Sequence, residues 1–163
     1  MSRTRKTTHD EADGDDVGLA LGVLLRSYRE VVTPALSGFP HGARGYETMR
    51  EVLRGERPSQ LALANRLGLD RTVMTYLIDD LVAAGFVERR VNPQDRRQRQ
   101  IVATARGRAA VSDLCEQVAA AERIVLAGLD PAEQELFRRL LGKAAAARGD
   151  HSFETCLTVI GEQ

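Results

Sequence analysis

Ser59-Gln60-Leu61-Ala62-Leu63-Ala64-Asn65-Arg66-Leu67-Gly68-Leu69-Asp70-Arg71-Thr72-Val73-Met74-Thr75-Tyr76-Leu77-Ile78-Asp79-Asp80-Leu81 is the stretch on which the fold turns. Ser59 follows Pro58 and is a good N-cap, because its side-chain oxygen can accept a first-turn N–H. The helix it opens carries Leu61, Leu63 and Leu67, and Gly68 closes it. Asp70 caps a second helix, running from about Arg71 to Ala84. Val73, Leu77 and Leu81 lie on one face with Met74, Ile78 and Val82 beside them, so these six are expected to bury it. Arg71, Thr72, Thr75, Tyr76 and Asp79 are left on the opposite side. Two short helices joined by Gly68-Leu69-Asp70 have the form of a helix-turn-helix. The second presents a short polar face of the kind the major groove of DNA admits.

Beyond Gly85, Phe86 to Val91 reads as a strand. Asn92-Pro93-Gln94-Asp95 has Pro where a type I turn prefers it, and Arg99 to Thr104 reads as the returning strand. The result is a β-hairpin with an Arg-rich tip, a wing. Thr104 can cap a long helix from about Ala105 to Leu129, with Val111, Leu114, Val118, Ala121 and Val125 three and four residues apart. Asp130-Pro131-Ala132-Glu133 combines an N-cap acid, Pro at N1 and Glu at N3, and opens a last helix to about Arg148. The tail from Phe153 to Ile160 is apolar enough to pack on the first or last helix. Upstream, Asp16 caps a first helix carrying Leu21, Leu24, Leu25, Tyr28, Val31 and Val32, which Pro34 kinks or ends. Ser37 to Gly42 reads as a loop, and a second helix from about Arg44 to Arg54 stops at Gly55.

A chain of 163 residues suffices for one compact core. Aromatics are only 4% and Trp is absent, so that core is built from Leu, Val, Ile and Ala, a helix-favouring palette. The formal net charge is zero, yet Phe86 to Arg108 holds seven Arg against two acids, enough for one strongly positive face. No Gly-rich phosphate loop, nucleophile elbow or metal-ligand spacing is present, which argues against an enzyme, a cofactor and a metal site. Cys115 and Cys156 sit among apolar neighbours and form no CxxC, so both read as reduced core cysteines of a cytoplasmic protein. No apolar run approaches the roughly 20 residues of a membrane span, and Met1 to Asp16 reads as a flexible charged tail rather than a signal peptide.

Taken in order, the chain resembles the MarR family of winged helix-turn-helix transcriptional regulators from about residue 17 to 148. The likeness rests on Gln60-Leu61-Ala62 to Leu67-Gly68, on Asp70-Arg71-Thr72-Val73 through Leu81, and on Ala84-Gly85-Phe86-Val87-Glu88-Arg89. Asn92-Pro93-Gln94-Asp95-Arg96-Arg97 followed by Thr104-Ala105-Arg106-Gly107 completes it. The expected fold is mainly α with a small β-hairpin wing. A winged helix-turn-helix lobe spans 44–104, and a helical dimerisation lobe is formed by 17–43 and 105–163.

The resemblance implies a homodimer that binds a pseudo-palindromic operator, with a small-molecule inducer in a cleft between the lobes. The expected function is a sequence-specific regulator, a repressor of nearby genes relieved by a ligand. The alternative is a non-specific or architectural DNA-binding protein. For phosphate and base contacts the candidates are Ser59, Gln60, Arg71, Thr72, Thr75, Tyr76, Arg90, Asp95, Arg96, Arg97 and Arg99. Arg97 is the residue expected in the minor groove, with Asp95 holding its guanidinium. Tyr76 stands where the family often has Arg. His41, Arg44 and Tyr46 are the candidates for an anionic or phenolic inducer.

Overall fold

The computed structural model describes residues 16–54 and 57–147. Six helices and one hairpin follow in the order α1 (Val17–Leu36), α2 (Ala43–Leu53), α3 (Gln60–Leu67), α4 (Arg71–Ala83), β1 (Val87–Val91), β2 (Arg99–Ala103), α5 (Ala105–Val125) and α6 (Pro131–Ala146). The fold is therefore mainly helical with a two-stranded antiparallel wing. Gly55, Gly149 and the tail from Phe153 to Ile160, with Cys156, lie outside the described residues, as does the segment 1–15.

The caps set most of these boundaries. Asp16, Ser59, Asp70, Thr104 and Asp130 each accept a first-turn N–H through their side chains. At α6 the Glu133 carboxylate also accepts the Asp130 amide, closing a full capping box. Pro34 does not end α1, which continues to Leu36 because Val32 and Leu36 are anchored in the core on either side of it. α5 stops at Val125 rather than Leu129, giving way to a turn at Leu126 to Gly128.

The core is shared by all elements except α6. Leu36, Met49, Leu63, Leu77, Ile78, Leu81, Ile101 and Val111 are buried together. Phe39, in the loop after α1, stacks on Phe86 at the head of the wing with ring centroids 5.0 Å apart. The helix α1 packs along α5, and α2 fills the space between α5, α3 and β2. Two faces stay uncovered by the described residues. On α1, Leu19, Leu21, Val23 and Leu25 are each about half exposed or more, and α6 buries no residue at all. No helix among the described residues is long and apolar enough to cross a membrane.

Candidate nucleic-acid interface

Gly68 takes φ +62°, a conformation glycine adopts without the Cβ penalty, and the Leu69 amide reaches back to the Ala64 carbonyl at 2.9 Å. Asp70 then starts α4, and its carboxyl lies below the usual range because the Thr72 amide and hydroxyl bond it. Four side chains bury α4: Met74, Leu77, Ile78 and Leu81. Val73, expected among them, is 38% exposed, and Val82 is only partly buried. Arg71, Thr72, Val73, Thr75, Tyr76 and Asp79 form the outer face, on which Tyr76 is 65% exposed.

Some of these groups are already engaged. The Ser59 hydroxyl caps α3 through the Ala62 amide. Gln60 Nε2 donates to Thr75 Oγ1 at 2.7 Å, and Thr75 Oγ1 donates to the Arg71 carbonyl. Arg89, which sequence reasoning passed over, joins this cluster from β1: its Nη2 lies 2.5 Å from Asp79 Oδ1 and 3.5 Å from Gln60 Oε1. The wing base is thereby tied to both helices of the motif. An Arg on a strand carries no periodic signal that marks it as a cross-element tie.

β1 and β2 pair in register from Val87↔Ala103 to Val91↔Arg99. Alternation puts Val87, Arg89, Ile101 and Ala103 on the face toward α4 and Glu88, Arg90 and Val102 on the other. The Ile101 amide donates to the Pro58 carbonyl, and Ser59 bridges to Gln100, so the segment just before α3 lines the second edge of β2.

The tip differs from the expected turn. Its closing bond runs from the Gln98 amide to the Asp95 carbonyl, which makes Arg96 and Arg97 the central residues instead of Pro93 and Gln94. Asp95 Oδ1 accepts the Arg97 amide at 3.0 Å. Asp95 thus shapes the backbone under Arg97 and does not grip its guanidinium. Arg96, Arg97 and Arg99 are exposed and have no ion-pair partner among the described residues, as has Arg71 on α4. Arg90 is paired with Glu88.

The three inducer candidates point to different surroundings. His41 Nε2 sits 2.7 Å from Asp80 Oδ2 of α4, Arg44 is exposed, and Tyr46 is buried against Cys115. Cys115 is disulfide-bonded, which corrects the reading of it as a reduced cysteine. Its sulfur carries no hydrogen, so the Tyr46 hydroxyl is the donor at 3.4 Å. Burial and then the Glu122 carboxylate push the Tyr28 phenol up to about 12. Burial likewise raises Tyr46 and Glu122. A cavity of about 310 Å³ opens elsewhere, lined by Val52, Leu53, Arg57, Arg90, Arg108 and the β2 residues Ile101 to Ala103.

A capped helix pair with a left-handed glycine turn, followed by a hairpin on the same core, defines a winged helix-turn-helix protein. The model of the MarR family matches residues 46–98. A Mycobacterium tuberculosis MarR family protein crystallised with DNA is 27% identical, with a TM-score of 0.66 over 78% of this chain and 96% of its own. The same protein crystallised with p-aminosalicylic acid gives 27% identity and a TM-score of 0.64 over 79% and 98%. MarR of E. coli, at 22% identity, superposes with a TM-score of 0.66 over 78% and 96%. Residues 46–98 thus resemble the MarR family, and about four fifths of the chain shares the fold of solved members of that family.

Proposed function

We propose that this protein is a sequence-specific DNA-binding transcriptional regulator that works in the cytoplasm as a homodimer. Its action is to repress nearby genes until a small-molecule inducer releases it. The observation that carries the DNA reading is the set of four exposed, unpaired guanidiniums, Arg71 on α4 and Arg96, Arg97 and Arg99 on the wing, on elements rigidly joined through Arg89. Cations meeting phosphates supply affinity, and a few base-edge contacts supply specificity. Arg71, Thr72 and Tyr76 enter the major groove, and Arg97 reaches the minor groove from the wing tip.

The mycobacterial relative crystallised with DNA supports the partner, and its complex with p-aminosalicylic acid supports an organic anion as inducer. The exposed faces of α1 and α6 support the dimer, since among the described residues these helices leave Leu21, Leu25, Leu136 and Leu140 as an apolar surface that a second copy can cover. Residues 17–43 and 105–163 then form the dimer lobe and 44–104 the DNA lobe. Two recognition helices are held about one helical turn of DNA apart, so operators are pseudo-palindromic.

The test is binding of purified protein to the DNA flanking its own gene, against a scrambled duplex of equal length, at two salt concentrations. Arg97→Ala is run beside it and is expected to lose about 1–3 kcal/mol on the native duplex. Equal, steeply salt-dependent binding to both duplexes refutes sequence specificity and leaves an architectural DNA-binding protein.

A further inference from the structure

The cavity of about 310 Å³ is lined from three separate parts of the chain. Val52 and Leu53 come from the end of α2, Ile101 to Ala103 from β2, and all but Val102 of these are buried, so the floor is apolar. Among the described residues its charged groups are all of one sign: Arg57 from the linker before α3, Arg90 from β1 and Arg108 from α5. Arg90 is paired with Glu88 on the hairpin face turned away from α4, so among the described residues the three guanidiniums and that one acid leave a surplus of two positive charges. Arg108 Nη1 donates to the Ala103 carbonyl at 3.1 Å, which fixes its guanidinium at the rim with most of its donors unspent. Arg57 has no hydrogen-bond or ion-pair partner among the described residues.

The backbone at Arg57 adds to this. Its φ is +45°, although it is not glycine and it precedes Pro58, a position that favours extended backbone. A strained residue with an unengaged cation at the edge of this cavity is a place to look for a ligand.

We infer that this cavity is a binding site for a small organic phosphate monoester, its apolar body on Val52, Leu53 and Ile101 and its phosphate among Arg57, Arg90 and Arg108. The chemistry selects the class. A phosphate monoester carries about −1.5 to −2 charge near neutral pH, which matches the surplus, and guanidinium forks bind its oxygens pairwise. A volume of about 310 Å³ lies at the small end of ligand sites and suits a body of one ring. The site stands on the cavity alone and does not depend on the DNA-binding reading.

Phenyl phosphate is titrated calorimetrically into the full-length protein without DNA. Saturable binding is expected, with benzoate and inorganic phosphate each at least about tenfold weaker because the first carries a single negative charge and the second has no ring. Arg57→Gly and Arg108→Gln each weaken phenyl phosphate by about tenfold or more. Arg57→Gly keeps or raises the thermal midpoint, because glycine adopts this φ without strain; that separates lost binding from lost structure. Absence of saturation up to about 10 mM overturns the proposal. So does equal affinity for inorganic phosphate, or unchanged affinity in both variants. If phenyl phosphate fails to bind while Arg57→Gly weakens duplex binding, the three arginines are a clamp for the DNA backbone and the small-molecule site is refuted.

Discussion

Replacing Gly107 by alanine should separate the two halves of the molecule. Gly107 lies in the first turn of α5, where that helix crosses the head of the wing. A Cβ built there falls 2.0 Å from the Phe86 carbonyl oxygen and 2.9 Å from Met49 Cε, whereas ordinary contact begins at 3.4 Å. The methionine end can swing away. The carbonyl cannot, because it already accepts the Thr104 amide at 3.0 Å and Thr104 is in turn the α5 N-cap. Relief therefore requires α5 to retreat by about the missing 1.4 Å, the gap between those two distances. In an interior packed like a crystal, that retreat loosens the contacts of Met49 and Val111 as well. Overpacking usually costs about 1–3 kcal/mol, and a clash with fixed backbone belongs at the upper end, so about 3 kcal/mol is expected. Urea unfolding at fixed protein concentration measures it, with Gly128→Ala as control: no atom lies within 4 Å of that Cβ, and the change should stay within about 0.5 kcal/mol. A Gly107→Ala midpoint equal to that of the parent would refute the close approach and the coupling of α5 to the wing.

The turn chemistry of the tip predicts that Asp95→Asn, which keeps an acceptor for the Arg97 amide, binds duplex within about twofold of the parent. Asp95→Ala loses about fivefold; equal losses would return the carboxylate to a role on the guanidinium. Arg89→Ala removes a partly exposed pair and should cost no more than about 1 kcal/mol of stability. Its duplex affinity should nevertheless fall on every sequence, because the wing is untied from α3 and α4. With the Tyr28 phenol raised from 10.0 to about 12, the native state holds a proton that the unfolded chain has lost in that interval. Stability contributed by Tyr28 is therefore present below pH 10 and declines as pH rises toward 12. A late phase in tyrosinate absorbance, reduced in Tyr28→Phe, checks this.

What the sequence made legible was local. Ser59, Gly68, Asp70, Thr104 and the Asp130 capping box act within one helical turn, and each boundary they imply stands within a residue or two. Long-range choices were less readable. Six apolar residues on α4 cover more than one face, and only tertiary contact selects Met74 over Val73. Pro93 favours a turn at its own position, but the Asp95 side chain offers the Arg97 amide a closure two residues on. Pro34 argues for a helix end, yet Val32 and Leu36 hold the last turn of α1 to the core. The arginine-lined cavity assembles residues 57, 90 and 108, which no spacing rule connects. Of the DNA candidates, the structure leaves Arg71, Arg96, Arg97 and Arg99 unengaged, while Ser59, Gln60 and Thr75 are drawn into the motif's own hydrogen bonds.

The bond from the Ile101 amide to Pro58 divides the wing into a stiff stem and a soft tip. Ile101 is fully buried, so its amide should exchange with solvent only when the whole lobe opens. Beyond the Asn92–Gln98 closure, the tip is held among the described residues by two Asx turns and the single bond from the Gln98 amide to the Asp95 carbonyl, and its amides should exchange without that opening. Binding then has to order only a handful of tip residues, at about 1–2 kcal/mol each, since the stem arrives already ordered. It also means that residues 93–97 can be rewritten with little effect on folding. If the tip reads DNA as proposed, its preference is free to drift while the stem keeps the reading head in place.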